Sequence, residues 1–73
     1  MDLRQLVGKN VRHWRDRLGV SQEELAFRAN LHRTYISGVE RGVRNPTVVT
    51  LGRLAQALQV EPEELLAKKI RRR

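Results

Sequence analysis

The most chemically specific pattern in the sequence is a set of four small or hydrogen-bonding residues: Arg33, Thr34, Ser37 and Gly38. Their spacing places all four on one side of a helix that is predicted from about Arg33 to Arg41. Arginine can bind guanine O6 and N7 through two hydrogen bonds, and threonine offers thymine a hydroxyl and a methyl group. Because the first residues of a helix inserted into the major groove approach the bases most closely, the pattern predicts base contacts. Gly38 can equally well mark a locally weak helix.

Gln22 is a candidate contact to a DNA phosphate. It follows Ser21, which is predicted to cap a short helix just before the one that starts at Arg33. At the first position of a helix, a side-chain amide and a free backbone N–H can both reach the same phosphate. The alternative for Gln22 is an ordinary exposed glutamine.

The charge balance points to an anionic partner. Fifteen Lys and Arg residues against eight Asp and Glu residues give a formal net charge of +7. Twelve of the fifteen are arginine, whose planar guanidinium group binds phosphate or guanine through paired hydrogen bonds. Nucleic acid is therefore the first expectation and an anionic membrane surface the second. The alternative is a highly soluble surface with no binding role.

Other classes of protein are disfavoured by what the chain lacks. Without cysteine there is neither a disulfide nor a thiolate metal site, and we expect no metal or cofactor. No apolar run approaches the ~20 residues that span a bilayer, and the N-terminal segment lacks the apolar region of a signal peptide. The two histidines are isolated, and neither paired carboxylates nor a glycine-rich phosphate loop is present. An enzyme, a membrane partner and a small-molecule ligand are therefore not expected.

Apolar spacing and capping residues predict an all-α chain. Residues 2–18 carry an apolar stripe, and Gly19 is placed to end that helix in the left-handed conformation. Ser21 and Glu24 form a capping box for a second helix, and Asn30 is a plausible terminator for it. The helix that begins near Arg33 is thus the third.

The second half of the chain adds two more predicted helices. Thr47 caps a fourth helix, and Pro62 lies in the first turn of a fifth, where proline is tolerated. Trp14 lies on the apolar stripe of the first helix and is assigned to the core rather than to ligand stacking. We therefore predict a compact five-helix bundle in a single domain of residues 1–70, followed by a basic C-terminal tail of residues 71–73.

Five short motifs in the chain are distinctive: SQEELA, YIS, ERG, the Asn-Pro-Thr loop and LxxLAxAL. With them, the chain from Leu3 to Leu66 resembles the Cro/lambda-repressor-type helix-turn-helix family, also called the xenobiotic-response-element (XRE) family. The segment RTYISGVERGVRNPT is similar in particular to the small controller proteins of restriction-modification systems, which are dimeric transcriptional regulators. The resemblance implies a lambda-repressor-like fold in which helices 2 and 3 form the helix-turn-helix.

The resemblance also implies roles for individual residues. Gln22 would touch a phosphate, and Arg33, Thr34, Ser37 and Gly38 would occupy the base-facing positions. Arg15 and Glu40 match an internal ion pair between the first helix and the end of the third. The residues that would hold the DNA backbone beside helix 3 are Tyr35, Arg44 and Asn45.

Two residues depart from the family pattern at helix starts. Helix 3 usually begins with a Ser, Thr or Asp cap, but here the position is occupied by His32. A neutral imidazole can accept the capping hydrogen bond and a charged one cannot, which would make binding pH-dependent. The favoured interpretation is that His32 faces solvent or a phosphate. Glu61 likewise replaces a better cap before Pro62.

The function predicted from these features is sequence-specific regulation of transcription in the bacterial or phage cytoplasm, in association with the nucleoid. A homodimer would bind a palindromic operator in double-stranded DNA, with helix 3 of each copy in the major groove and half-sites about 34 Å apart. Candidate residues for the dimer interface are Val60, Leu65, Leu66 and Ile70. The alternative for each is the core, which we favour for Leu65.

A second class of function is a protein-interaction module, such as an antitoxin or a coactivator-type helix-turn-helix domain. A stable equimolar complex with a toxin encoded next to it would favour that class. The absence of a long additional segment that could mask a toxin counts against it.

Overall fold

Residues 2–68 are the part of the chain that the computed structural model describes, and they fold into four α-helices and one short 3-10 helix. The α-helices are α1 (Leu3–Leu18), α2 (Gln22–Ala29), α3 (Arg33–Glu40) and α4 (Val48–Leu58), and the 3-10 helix spans Pro62–Leu65. No strand occurs in this part of the chain, so the predicted all-α class is confirmed. The predicted number of five α-helices is wrong, because the last element in this range is a single 3-10 turn.

The 3-10 turn is short because α1 supplies partners for the carbonyl groups around it. The side chain of Asn10 is buried on α1, and its amide donates to Leu65 O at 3.0 Å and to Ala67 O at 2.8 Å. The N–H of Leu66 bonds to Glu63 O, three residues back, as in a 3-10 helix. Carbonyl groups that a side chain satisfies do not need the next turn of an α-helix as donors.

The predicted ends of α1 and α2 agree with the structure. Gly19 ends α1 at φ 77°, and Asn30 ends α2 at φ 57°, both in the left-handed region. Ser21 Oγ accepts the Glu24 N–H at 3.0 Å, which is one half of the predicted capping box. In place of the other half, the Glu24 carboxylate accepts a hydrogen bond from Arg28 Nε at 2.8 Å. An exposed ion pair one turn apart therefore replaces the reciprocal cap.

One apolar core connects all five elements. Trp14 is 5% exposed and lies in this core, as predicted. Leu3 and Val48 belong to the predicted apolar stripes of α1 and α4, but they are 59% and 84% exposed because the first turns of both helices lie outside the core. The buried apolar residues are Val7, Val11, Trp14, Leu25, Ala26, Ala29, Ile36, Val39, Leu54, Ala55, Ala57, Leu58 and Leu65.

α1 and α3 approach each other more closely than side chains normally allow. Gly8 is buried at the crossing, and a Cβ atom on it would collide with the carbonyl oxygen of Val39 and lie 2.8 Å from that of Glu40. Both oxygens belong to the last turn of α3, and a backbone atom cannot rotate away as a side chain does. The absence of a side chain at Gly8 therefore fixes how near α3 lies to α1.

The same end of α3 is held to α1 by an ion pair, the one that the family resemblance implies. Arg15 donates from Nε to Glu40 Oε2 at 2.6 Å and from Nη2 to Oε1 at 3.0 Å, and its Nη1 donates to Val20 O at 3.0 Å. The side chains of Arg15 and Glu40 are only 14% and 5% exposed. The hydrogen bond with Glu40 raises the pKa of Arg15 above its ordinary value. The pair is bidentate and largely desolvated. The loss of one partner would therefore leave a buried charge uncompensated and lower the stability of the fold strongly.

We expect Gly8→Ala to lower the free energy of unfolding by about 1–3 kcal/mol, because the added methyl group overpacks the contact between two backbones. Urea denaturation followed by circular dichroism measures this change. Gly52→Ala is the matched control, since Gly52 lies within α4 and a Cβ there meets no atom within 4 Å. That control should be neutral or stabilising by up to about 1 kcal/mol. Equal midpoints for the two variants would refute the close-approach argument.

We expect Glu40→Ala to lower the free energy of unfolding by about 3 kcal/mol, because it leaves the Arg15 guanidinium largely buried without its carboxylate. Glu24→Ala is the control: it removes an ion pair whose two side chains are 38% and 45% exposed, worth about 0.5 kcal/mol or less. Thermal and urea unfolding of the two variants give the comparison. If the Glu40→Ala protein has the same melting temperature as the Glu24→Ala protein, the ion pair between Arg15 and Glu40 contributes little to stability.

Candidate nucleic-acid interface

The turn between α2 and α3 determines how α3 is presented. After Asn30, the Leu31 N–H returns to Ala26 O at 2.8 Å, which closes the end of α2. Arg53 on α4 then donates to Ala29 O at 3.2 Å and to Asn30 O at 2.7 Å. The sequence pattern did not single out Arg53, although it holds the last carbonyl groups of α2 as a C-terminal capping residue does. α4 thereby fixes the turn from which α3 starts.

α3 has one apolar face and one exposed edge. Ile36 and Val39 are 0% and 1% exposed and pack into the core. Arg33 and Thr34 are exposed at the first positions of the helix, and Ser37 is partly exposed one turn later. Three of the four residues predicted to face bases therefore share the exposed edge of α3, which we call the α3 edge.

The fourth predicted base-facing residue, Gly38, does not lie on the α3 edge. It is buried, and the place that its Cβ would occupy is 2.6 Å from Cγ of Arg44. The prediction of a base contact from Gly38 therefore disagrees with its position, because the Arg44 side chain covers it.

Arg44 itself lies exposed beside the α3 edge. Its Cζ atom is 5.8 Å from the centroid of the Tyr35 ring, within the range of a cation–π interaction. The N–H groups of Val43 and Arg44 both point to Gly38 O, at 3.0 and 3.3 Å. Asn45 follows in the exposed part of the loop. Of the three residues that the resemblance assigned to the DNA backbone, Tyr35 thus lies on α3 and Arg44 lies against it, while Asn45 lies in the loop that follows.

Gln22 and His32 lie at the starts of the two helices of the helix-turn-helix. The Gln22 amide donates from Nε2 to Glu40 Oε1 at 3.1 Å, so its side chain is tied to the same carboxylate as Arg15. The second amide hydrogen and the backbone N–H at the start of α2 can still serve a phosphate. His32 is exposed and makes no capping hydrogen bond to α3, which agrees with the favoured interpretation that it faces solvent or a phosphate.

The residues proposed for a dimer interface occupy different environments. Leu65 is 0% exposed and belongs to the core, so its place among the interface candidates is withdrawn in favour of the predicted alternative. Val60 is partly buried and packs against the core, while Leu66 is 45% exposed. Ile70 lies outside the described residues. Leu66 is thus the candidate with the most apolar surface left open in residues 2–68.

Two further properties concern the same range. Residues 2–68 include no group of three or more His, Cys, Asp or Glu side chains arranged to hold a metal ion. Among the helices described, none is both long and apolar enough to cross a membrane.

Known proteins show extensive similarity to this chain. Residues 11–65 match the helix-turn-helix family profile. Over 66 residues the chain is 50% identical to the HTH-type transcriptional regulator y4dJ of Sinorhizobium fredii, an alignment that covers 90% of this chain and 86% of that protein.

Two solved structures extend the similarity to three dimensions. The restriction-modification controller protein C.AhdI from Aeromonas hydrophila superimposes with a TM-score of 0.82 at 47% identity, over 85% of this chain and 90% of that one. The controller protein C.Esp1396I, solved as a tetramer in complex with its 35 base-pair operator, gives a TM-score of 0.81 at 37% identity, over 89% and 86% of the two chains. On sequence and fold together, this chain belongs to the helix-turn-helix family, alongside XRE-type transcriptional regulators and restriction-modification controller proteins.

Proposed function

We propose that this protein is a sequence-specific transcriptional regulator that binds a palindromic DNA operator as a homodimer, with α3 in the major groove. The observation that carries the proposal is the α3 edge. Arg33 and Thr34 open the helix and are exposed, while the opposite face is buried in the core and its last turn is fastened to α1. A rigidly held helix with hydrogen-bonding residues at its exposed start has the form that reads base edges.

Base and phosphate contacts fall to different residues in this proposal. Arg33, Thr34 and Ser37 would read the base edges. Gln22 and Arg44 would contact phosphates on either side, with Tyr35, Asn45 and His32 as further backbone contacts. Contacts to phosphate fix the position of a protein on DNA, whereas contacts to base edges select the sequence.

The homodimer follows from the size of the α3 edge. One helix of eight residues reaches only a few base pairs, so two copies on related half-sites are needed for useful selectivity. The similarity to C.Esp1396I, which is a tetramer on its operator, supports an oligomeric complex. We propose that Leu66, Val60 and Ile70 contribute to the contact between copies, and that the protein acts in the cytoplasm.

A controller of restriction-modification genes is the specific role that the relatives favour, because C.AhdI and C.Esp1396I are such controllers.

Selection of binding sites from a random DNA pool tests the general proposal in one experiment. We expect enriched sequences to contain an inverted repeat with half-sites about one helical turn apart. A pool without enrichment, or one enriched in a single unrepeated site, would contradict the operator geometry.

We expect Arg33→Ala to cost about 1–3 kcal/mol of binding free energy at one base position and to relax the preference there, because a bidentate arginine–guanine contact is lost. Fluorescence anisotropy with the selected site and with all single-base variants of one half-site measures both effects. Arg12→Ala is the control for the loss of one positive charge, since Arg12 is exposed and belongs to α1 rather than to α3. Unchanged affinity and unchanged base preference would remove Arg33 from base recognition.

We expect the logarithm of the binding constant to fall with the logarithm of salt concentration at a slope near −7, if a dimer neutralises about eight phosphates. Gln22→Ala should weaken binding to selected and unrelated sequences by the same factor, since a phosphate contact carries no sequence information. Titrations at four or more salt concentrations give both quantities. A slope near zero would exclude DNA as the ligand, and unchanged binding of Gln22→Ala to unrelated sequences would exclude a phosphate role for Gln22.

A further inference from the structure

Gly38 occupies an unusual position in α3. It is buried, yet what covers it is the flexible side chain of an exposed residue, Arg44. A Cβ built on Gly38 would lie 2.6 Å from Arg44 Cγ, 3.1 Å from Nε and 3.4 Å from Cδ. The aliphatic part and the first nitrogen of the arginine thus fill the space that any other residue would use for its own side chain.

The loop after α3 delivers Arg44 to this space. Gly42 reverses the chain at φ 77°, and the next two N–H groups, of Val43 and Arg44, return to the carbonyl oxygen of Gly38. The carbonyl oxygen of Gly38 therefore binds the backbone N–H of Arg44, and the absence of a Cβ on Gly38 leaves the space in which the Arg44 side chain lies. The two contacts fix where the path of the arginine across α3 begins.

The far end of that path lies beside Tyr35. The Arg44 Cζ atom is 5.8 Å from the ring centroid of Tyr35, which precedes Gly38 by one helical turn and so lies on the same side of α3. An exposed arginine has many rotamers, and a surface that restricts them lowers the entropic cost of each contact that it then makes. The guanidinium group is held next to the α3 edge before any ligand arrives.

We infer that Gly38 is a positioning residue for DNA binding. Because Gly38 has no side chain, it leaves a space, which we call the seat, in which the Arg44 side chain lies against Tyr35 beside the α3 edge. The inference rests on the proposed DNA-binding function and assigns Gly38 no contact with DNA. It also gives a reason for a glycine in the interior of a short helix, where glycine is unfavourable relative to alanine.

The seat is tested first without DNA. The Arg44 side-chain protons should show an upfield ring-current shift from Tyr35 in the NMR spectrum, and Tyr35→Leu should abolish it. Gly38→Ala should abolish it as well, whereas Gly52→Ala, a helical glycine with open space around its Cβ, should leave it unchanged. A Gly38→Ala protein that keeps the shift would overturn the inference.

The consequence for binding is tested by a double-mutant cycle on the selected DNA site. Gly38→Ala and Arg44→Ala should each weaken binding about tenfold, as expected for the loss of one charge-assisted hydrogen bond. In the Arg44→Ala background, Gly38→Ala should change the affinity by less than about twofold, because its effect acts only through Arg44. The same tenfold loss in both backgrounds would overturn the inference and show instead that helix flexibility or a direct contact at Gly38 matters.

Melting temperatures give a third test, which remains valid even if the Gly38→Ala single variant folds poorly. With Arg44 shortened to alanine, the Cβ at position 38 has space, so Gly38→Ala should raise the melting temperature of the Arg44→Ala protein. A lower melting temperature in that background would contradict the seat. If the wild-type protein selects no DNA sequence, the proposed function fails, while the ring-current and melting measurements still decide whether Gly38 seats Arg44.

Discussion

The position of α3 relative to α1 and α2 depends on one carboxylate, that of Glu40. It ends α3, it is 5% exposed, and it accepts two hydrogen bonds from Arg15 of α1 and one from Gln22 of α2. A largely buried carboxylate is tolerated only when its charge is compensated and its lone pairs are occupied, and these three donors meet both conditions. Because they come from two different helices, the position of the end of α3 is fixed relative to both.

This shared anchor links the proposed phosphate and base contacts mechanically. Gln22 lies at the start of α2, where a phosphate would bind, and its amide also holds the end of α3. At the opposite end of α2, Arg53 holds the carbonyl groups of Ala29 and Asn30. A displacement of α2 would therefore be transmitted to α3.

The sequence predicted the elements whose signals are local and missed those that arise from contacts between elements. The terminators Gly19 and Asn30 occur where predicted, because glycine and asparagine favour the left-handed conformation that ends a helix. The prediction of a fifth α-helix was wrong, because the hydrogen-bond donor for the last carbonyl group of the 3-10 turn is the side chain of Asn10, 55 residues earlier in the chain. For the same reason the sequence did not single out Gly8, and it assigned Gly38 to a base contact or a locally weak helix: a neighbour from another segment occupies the space that each leaves empty.

Net charge also proves to be a coarser guide than the placement of individual arginines. The count of +7 includes residues whose guanidinium groups satisfy the protein itself: Arg15 binds Glu40 and Val20 O, and Arg53 binds two backbone carbonyl groups. Lysine could not replace either one, because each uses several hydrogen-bond donors of one planar group in a fixed geometry. By contrast, the arginines exposed in and just after α3 are Arg33, Arg41 and Arg44. Long-range attraction to an anionic partner follows from the total charge, whereas the local contacts that each arginine can make depend on where it lies in the fold.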